Sequence, residues 1–378
     1  MRISNTSLKL SVFILVFFLF STLYASETRV ATMGGGGIFV KDQSLVFLFP
    51  GTIHQYPDLV VAEMRTRGND GAYSLGIHMG YGDMVSGLYI NQPLNTVAFT
   101  PLGNNYFNTA AELNTAFAYM LGIKLAGFDA GFGFIGASSS YEDNTTQPKT
   151  EESASYVGIL AGISNDKMDI GLLFELPSVE TKPNGFEYSG FLLQANGRYY
   201  LMKRNGYNIF PVVNVGFGTT EIKDFAEYGL FNIALGVGVE KQINDNNLFI
   251  VGIEVSRQAL TTTPDGGDET TNVVTTLPGI YVGVESRIAE WLIGRIGATQ
   301  VNQQLSQEFN NDDQSLTGSQ FKLALGLGME FSNFLIDFNM NEVSLFDGVY
   351  ILDGTGGGTQ FATTVSITYN FGGDNDDE

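Results

Sequence analysis

The sequence predicts an all-β protein, a transmembrane antiparallel up-and-down β-barrel of 14–16 strands. Three observations on the 378-residue chain predict it. Apolar residues alternate with small or polar ones over many short segments. The composition combines 16% charged residues with 12% aromatic residues and 46 glycines, where soluble domains carry about a quarter charged residues. The connections between the segments also alternate between short and long.

The alternation is clearest over residues 321–331. Every odd position from Phe321 to Phe331 is apolar, whereas the even positions hold Lys322, three small residues and Glu330. Successive side chains of a strand point to opposite faces, so one face of this segment is wholly apolar. A barrel in a membrane needs such a face toward lipid and a small or polar face toward its lumen.

The same pattern predicts 16 strands. Three early segments are weaker than the rest, so 14 strands stays open, and an even number places both chain ends on the periplasmic side. The predicted strands are 59–66, 72–80, 84–92, 113–125, 128–138, 156–163, 168–176, 188–201, 207–217, 228–240, 248–258, 279–288, 291–299, 321–331, 334–341 and 361–371.

Connection lengths support a membrane orientation. Short turns are predicted at 126–127, 164–167, 203–206, 244–247, 289–290 and 332–333, and long polar loops at 93–112, 142–151, 261–271, 304–316 and 345–358. Outer-membrane barrels have short periplasmic turns and longer external loops. We therefore expect a bacterial outer-membrane protein in contact with membrane lipid and lipopolysaccharide.

The two chain ends are predicted to lie outside the barrel. Arg2 and Lys9 flank an apolar run at 10–20, which predicts a signal peptide over residues 1–25, with a retained anchor as the alternative. Its removal leaves 17 Lys and Arg against 40 Asp and Glu, which excludes nucleic acid as an expected partner. Residues 372–378 form an acidic periplasmic tail, and the chain has no cysteine for disulfides.

The last predicted strand belongs to a barrel of residues 59–371 and ends in an aromatic–polar–aromatic triplet, Tyr369 to Phe371. This triplet resembles the C-terminal signal that the barrel assembly machinery reads. The resemblance implies that machinery as a partner and Tyr369 and Phe371 as the assembly signal.

Residues 26–58 do not alternate. The run Met33-Gly34-Gly35, the apolar Ile38 to Val40, Asp42, Ser44 and Phe49-Pro50-Gly51 resemble the opening of the fatty-acid-transporter (FadL-type) barrels and the related barrels of type IX secretion. Phe49 and Gly51 replace the family's usual Asn and Ala. The resemblance implies a hatch inside the lumen and passive, hatch-gated transport of small hydrophobic molecules. The hatch candidates are Met33, Gly34, Gly35, Gly36, Gly37, Asp42, Pro50 and Gly51.

The inward faces of the predicted strands carry glycines and charges. Inward glycine either makes room for an inserted chain or allows strand curvature, and both interpretations stay open. The glycines are Gly131, Gly133, Gly216, Gly218, Gly236, Gly238, Gly326 and Gly328. The charges predict either a salt-bridge network that fixes register or an ion-selective constriction or latch. They are Lys124 (expected beside Asp129), Asp129, Asp169, Arg198, Glu240, Glu285, Arg287, Arg295, Lys322, Glu330 and Asp337.

The sequence does not point to chemistry. His54 and His78 are too isolated for a metal site, and no Ser–His arrangement is localised, so we expect neither a cofactor, nor a metal, nor an enzyme. Two alternatives to hydrophobic transport remain. One is a non-transporting barrel that serves as a scaffold or shuttle in protein secretion, and the other is a general porin.

Overall fold

A computed structural model describes residues 27–67, 70–94, 113, 116–145, 148–183, 185–204, 206–309, 312–340 and 362–372. In this part of the chain, 17 strands form one sheet. They are β1 Leu59–Arg67, β2 Asp70–Tyr81, β3 Met84–Ile90, β4 Ala116–Leu125, β5 Phe128–Asp143, β6 Thr150–Ser164, β7 Met168–Lys182, β8 Phe186–Tyr199, β9 Met202–Arg204, β10 Tyr207–Ile222, β11 Ala226–Asn244, β12 Asn247–Pro264, β13 Thr270–Ala289, β14 Leu292–Phe309, β15 Asp312–Phe331, β16 Phe334–Met340 and β17 Ala362–Asn370.

The sheet closes on itself. Each strand pairs antiparallel with its neighbour in sequence, and β1 also pairs with β17, from Leu59 opposite Asn370 to Arg65 opposite Thr364. The short β9 continues the line of β8 beside β10, so the barrel has 16 strand positions. The predicted fold class is confirmed. Closure leaves no unpaired sheet edge, which a strand in lipid could not tolerate.

The two faces of the wall follow the predicted alternation. On β11 the apolar Phe231, Leu235 and Val237 are about half exposed on the outside. Aromatic side chains gather on the outer face beside the short turns, where the rings of Trp291 and Phe331 stack 6.2 Å apart. This is the arrangement by which a barrel spans a bilayer.

Most strands between β5 and β15 are longer than predicted, and the expected long loops between them are correspondingly shorter. Most of 261–271 and 304–316 belongs to β12 to β15, and much of 142–151 belongs to β5 and β6. Polar residues there keep the backbone ladder although neither face needs to be apolar once a strand has left the membrane. The segments 95–112 and 341–361, the predicted signal peptide and residues 373–378 lie outside the described residues.

The chain before β1 forms short helices. Helix α1 spans Glu27–Thr32, and 3₁₀ turns span Gly37–Phe39, Gln43–Phe47 and Pro50–Gln55. The second turn begins at Asp42, whose side chain accepts a hydrogen bond from the backbone N–H of Ser44. Within the described residues, no helix has the length and apolar character needed to cross a membrane.

Residues 27–58, here called the lumenal segment, lie inside the barrel. Helix α1 contacts β14 to β17, the first 3₁₀ turn contacts β12, and the third contacts β3 to β7. One short segment can reach walls so far apart around the barrel only by crossing its interior. The described residues lie within the predicted segment 26–58, and the role of that segment as a hatch stays a prediction.

Candidate functional site: the lumenal segment and its seat

The first half of the lumenal segment rests on glycines of β11 to β15. A β-carbon added to Gly283 would lie 2.8 Å from the carbonyl oxygen of Met33, and one on Gly326 would overlap the side chain of Thr32. The ring of Phe39 covers Gly252 in the same way. At these distances a side chain on the wall would fit only if the segment shifted, so the wall has glycine where the segment passes.

The second half rests on glycines of β5 to β7. Added β-carbons would overlap the backbone of Pro50 at Gly131 and the carbonyl oxygen of Leu48 at Gly171, and would lie 2.8 Å from the Pro50 ring at Gly162. The alternative left open for the inward glycines is thus decided position by position. The nearest atoms to Gly131 and Gly326 belong to the lumenal segment. Gly236 and Gly238 lie nearest to wall atoms, with the ring of Phe39 next at 3.0–3.1 Å. The atoms around Gly133, Gly216, Gly218 and Gly328 all belong to the barrel wall.

The predicted glycine run forms a tight turn inside the lumen. Gly34 and Gly35 have φ values of +90° and +70°, in the left-handed region that favours glycine. The carbonyl oxygen of Gly34 accepts a hydrogen bond from the hydroxyl of Thr299 on β14. Gly36 lies against the ring of Tyr281, and Gly37 begins the first 3₁₀ turn.

Five ionised side chains of alternating sign join the segment to the wall, and we call them the charge chain. Arg29 contacts Asp42 at 3.3 Å and Glu285 at 2.8 Å. Glu285 also accepts a hydrogen bond from Arg295 at 2.6 Å, and the other end of that guanidinium bonds to Asp337. The chain runs Asp42, Arg29, Glu285, Arg295, Asp337, so each arginine lies between two carboxylates.

Within the charge chain, Arg29 is the residue of the segment that binds the wall, and the sequence analysis did not include it among the candidate residues. Its guanidinium binds Glu285 through two nitrogens and also donates to the carbonyl oxygen of Lys41 at 2.7 Å. Burial alone would lower the pKa of Arg29, but the charges of Glu285 and Asp42 and their hydrogen bonds raise it above its usual value. Arg29 therefore stays charged in the lumen.

A second group, the Arg198 cluster, is almost completely buried in the wall. Arg198 of β8 bonds to Asp169 of β7 at 2.5 Å, with side-chain exposures of 3% and 2%. The same carboxylate accepts hydrogen bonds from the hydroxyls of Tyr200, at 2.8 Å, and Ser164.

The Arg198 cluster contacts the lumenal segment at several points. The side-chain nitrogen of Gln55 donates to Ser164 at 3.3 Å, and the ammonium of Lys41 lies 4.2 Å from the centre of the Tyr200 ring. Arg198 donates to the carbonyl oxygen of Val40 at 3.1 Å and lies 4.6 Å from the centre of the Phe49 ring. Phe49, which replaces the asparagine usual in the FadL-type opening, thus packs under a cation.

Six of the eleven predicted inward charges belong to neither group. Arg287 pairs with Glu330 at 2.6 Å near a short turn. Lys124 lies opposite Asp129 in the β4–β5 register as predicted, but its ion pair is with Asp83, at 3.8 Å. Backbone geometry favours this partner because the β2–β3 turn brings Asp83 to the same end of the barrel. The remaining three residues, on inner faces, are Asp129, Glu240 and Lys322.

His54 belongs to the lumenal segment, and His78 lies beside it. His78 is buried, and its two ring nitrogens bond to the carbonyl oxygen of Tyr56, at 2.6 Å, and to the hydroxyl of Tyr89. His54 lies over Gly122 of β4. Among the described residues, no group of three or more His, Cys, Asp and Glu side chains is placed to hold a metal ion.

One side of the lumen is apolar. Buried side chains on the inner faces of β3 to β6, β8, β10 and β11 form a continuous cluster with Val46 and Ile53 of the lumenal segment. Its largest members are the tyrosines Tyr89, Tyr156, Tyr188 and Tyr228, and Met120, Leu160 and Leu192 pack among them. The sequence did not predict this apolar wall, because its members are interspersed with glycine and polar residues on the same inner faces.

Comparisons with known proteins find similar solved structures but no family for the chain. No protein-family model matches the chain, and no curated protein matches it. Among solved structures it resembles the FrpB iron transporter of Neisseria meningitidis, at 7% identity and a TM-score of 0.43, over 79% of this chain and 63% of that one. It also resembles CdiB of Escherichia coli, at 8% identity and a TM-score of 0.40, over 83% of this chain and 63% of that one.

A third similar structure is the toluene transporter TodX of Pseudomonas putida, at 10% identity and a TM-score of 0.36, over 90% of this chain and 95% of that one. At these identities and scores the comparisons assign neither a family nor a ligand.

Proposed function

We propose that this protein lets small hydrophobic molecules cross the bacterial outer membrane passively, and that the lumenal segment is its hatch. The observation that carries the proposal is the seat of the segment. It crosses the barrel interior on a row of glycines, so it occupies space through which a solute would pass. The FadL-type resemblance of residues 33–51 points to the same role.

The apolar inner wall supports a hydrophobic cargo. The lumen of a general porin is polar and filled with water, whereas here aromatic and aliphatic side chains line the inner faces of seven strands. A hydrophobic molecule gains roughly 25 cal/mol for each Å² of apolar surface that it buries against such a wall.

The charge chain supports a movable segment. Arg29 and Asp42 belong to the segment, whereas Glu285, Arg295 and Asp337 remain bonded to one another in the wall when the segment leaves. Release therefore breaks side-chain contacts and leaves the strand ladder intact.

Conductance and uptake test the proposal together. Full-length protein in planar bilayers should conduct few ions, and a variant that lacks residues 29–57 should open large steady channels. Full-length protein in liposomes should speed the entry of a hydrophobic dye over protein-free liposomes. A full-length protein that conducts freely would instead be a porin. One that neither conducts nor transports, before or after the deletion, and co-purifies with a secreted protein would be a secretion shuttle.

A reversible lock tests the hatch without removing it. The chain has no cysteine. A β-carbon on Gly283 would lie 3.1 Å from that of Met33 and 2.8 Å from the Met33 carbonyl oxygen, so a cysteine at Gly283 moves the segment outward by a few tenths of an ångström, toward the ~3.8 Å of a disulfide. The pair Met33→Cys and Gly283→Cys should stop uptake when oxidised and restore it on reduction. Each single substitution is the matched control and should not respond to reductant. If uptake continues while the pair is oxidised, transport does not require this half of the segment to move.

We also propose Tyr369 and Phe371 as the assembly signal. Both lie at the end of β17, and the ring of Tyr369 packs on Phe334 of β16 at 4.5 Å on the outer face. Replacing both by alanine should reduce insertion by purified assembly machinery, and unchanged insertion would refute the assignment.

A further inference from the structure

An arginine lies on the outer face of the barrel at the edge of the apolar band. Arg257 of β12 is exposed on the same face as Ile253 and Val255, which are 50% and 41% exposed toward lipid. It is ten residues beyond Asn247, where β12 begins at a short turn. Ten residues of about 3.3 Å each on a strand tilted by about 40° rise about 25 Å, which is the height of the apolar band of outer-membrane barrels. Arg257 therefore lies at the level of the external lipid headgroups.

The strands beside Arg257 supply no carboxylate to neutralise it. In the sheet register it lies between Ile233 of β11 and Thr275 of β13. The nine residues centred on each of these partners, 229–237 and 271–279, include neither Asp nor Glu. The one carboxylate of β12, Glu254, has the opposite parity and points to the lumen. Among the described residues Arg257 forms no ion pair, so its charge is available to an anion outside the barrel.

Two neutral polar side chains continue from Arg257 along the same face. Thr275 is its direct partner on β13, and Gln304 is the direct partner of Thr275 on β14. Directly opposite residues of antiparallel strands lie on one face, so all three point outward, and we call them the outer row. The row crosses two interstrand spacings, about 10 Å in all. Its hydroxyl and amide groups both donate and accept hydrogen bonds, as the hydroxyls of a sugar do.

Apolar side chains lie directly below the outer row on the lipid side. Val255 follows Arg257 on β12 toward the membrane centre, and Leu277 follows Thr275 on β13, with exposures of 41% and 58%. From the external side inward, this face therefore presents a cation, hydrogen-bonding partners for a sugar, and an apolar surface for hydrocarbon. A lipid with an anionic sugar headgroup has these parts in the same order.

We infer that the outer row binds lipid A, the phosphorylated sugar lipid that anchors lipopolysaccharide in the outer leaflet. A phosphate lies on Arg257, sugar hydroxyls on Thr275 and Gln304, and an acyl chain along Val255 and Leu277. A guanidinium suits a phosphate because its planar fork makes two charge-assisted hydrogen bonds at once. A phospholipid headgroup offers a phosphate but no sugar ring for the remaining length of the row.

Native mass spectrometry of full-length protein in detergent micelles tests this site. The probes are lipid A with both phosphates, lipid A with its phosphates removed, and phosphatidylglycerol. We expect the phosphorylated lipid A to bind at least tenfold more tightly than either of the other two. Equal binding of the dephosphorylated form would overturn the contact with Arg257. Equal binding of phosphatidylglycerol would mean that the row recognises any anionic lipid, and the assignment of lipid A would fail.

Substitutions locate the site on the barrel. Arg257→Gln should weaken phosphorylated lipid A about tenfold, and Arg257→Lys should weaken it less, because it keeps the charge but loses the fork. Lys241→Gln is the matched control. Lys241 also lies on the outer face, but at the periplasmic end of β11, where its ammonium is 3.9 Å from the centre of the Tyr207 ring. Unchanged binding in Arg257→Gln, or an equal loss in Lys241→Gln, would overturn the assignment.

Thr275→Val tests the sugar contact separately from the phosphate contact. It removes the hydroxyl and nearly keeps the shape, so it should weaken lipid A about threefold and leave phosphatidylglycerol unchanged. If Thr275→Val binds lipid A like wild type, the row does not hold the sugar.

This site does not depend on the proposed transport. The outer row lies on the lipid side of the wall, so Arg257→Gln should leave uptake of the hydrophobic dye unchanged. A protein that binds lipid A at the row but transports nothing would refute the transport function alone. A protein that transports through a movable lumenal segment but binds lipid A equally well without Arg257 would refute the lipid site alone.

Discussion

The charge chain and the Arg198 cluster hold the same segment in opposite ways. In the charge chain, Arg29 and Asp42 come from the lumenal segment, and the link between Arg29 and Glu285 is 18–20% exposed. In the Arg198 cluster the ionised pair belongs entirely to the wall and is 2–3% exposed. The pair itself meets the segment through the Val40 carbonyl and the Phe49 ring, and its partners Ser164 and Tyr200 meet Gln55 and Lys41.

The difference separates release from stability. A partly solvated ion pair contributed by the segment can break with little effect on the stability of the barrel, because its partners in the wall stay bonded to one another. A dry pair inside the wall cannot lose a member without leaving a buried charge uncompensated. Substitutions in the two groups should therefore affect different measurements.

Arg198→Met should have the largest effect, on the barrel itself. It leaves the Asp169 carboxylate buried with only the hydroxyls of Ser164 and Tyr200, at a cost of about 3–5 kcal/mol of unfolding free energy. Urea unfolding in lipid vesicles measures it, with the single tryptophan, Trp291, as the fluorescence reporter. The double variant Arg198→Met with Asp169→Leu should recover much of the loss. If the single variant unfolds like wild type, the pair does not stabilise the wall.

Arg29→Gln should instead loosen the segment. Hydrogen bonds to charged partners are worth about 1.5–3 kcal/mol, so opening of the segment should rise by tenfold or more. The readout is the labelling rate of a cysteine at position 32, where Thr32 is fully buried. Arg29→Lys keeps the charge but loses the two-nitrogen contact with Glu285, so its labelling rate should lie between those of wild type and Arg29→Gln.

Arg29→Gln should also leave the urea unfolding curve of the barrel almost unchanged. Glu285 keeps Arg295, and Asp42 keeps the hydroxyl and backbone N–H of Ser44. A large fall in unfolding free energy without faster labelling would mean that the charge chain is part of the wall.

Gly131→Ala tests the second half of the seat. The added carbon would overlap the backbone of Pro50, so the segment must shift, at about 1–3 kcal/mol for overpacking. Labelling of a cysteine at position 53, where Ile53 is buried, should quicken, whereas labelling at position 32 should change less. Gly318→Ala is the matched control, since its added carbon meets open space. Equal labelling in both alanine variants would mean that the glycine seat does not position the segment.

The barrel could be predicted because its signal is local. Each strand carries its own period-two pattern, as in 228–240, and closure follows from the cost of unpaired backbone in lipid. The strand ends could not be predicted, since residues such as 261–264 continue the ladder in water, where no apolar face is required. For Gly131, Gly326, Gly133 and Gly216 alike, the sequence left open both room for an inserted chain and strand curvature, and only the contacts in the folded chain distinguish the first two from the others.

The partners of the charges could not be predicted because they are distant in sequence. Arg29 and Glu285 are 256 residues apart, and Arg198 and Val40 are 158 apart. Arg29 lies in the predicted hatch segment 26–58, but nothing local marks it as the residue that binds the wall, since it precedes the glycine run that carried the family resemblance. Tyr200 was equally hidden, because it lies in the break between β8 and β9.

Lys124 provides the smallest expected effect and sets the lower limit of the comparison. Its ion pair with Asp83 is 3.8 Å long, and the two side chains are 60% and 84% exposed, so water and salt screen it. Lys124→Ala should leave both the unfolding curve and the labelling rate at position 32 unchanged. A double-mutant cycle with Asp83→Ala should show no measurable coupling. The same cycle with Asp129→Ala tests the cross-strand partner that the sequence predicted. Coupling of Lys124 with Asp129 but not with Asp83 would show that strand register, rather than the β2–β3 turn, determines the partner.

Without coupling in either cycle, charge at the rim of the barrel contributes nothing to holding the lumenal segment, and the segment is held by the charges in the lumen.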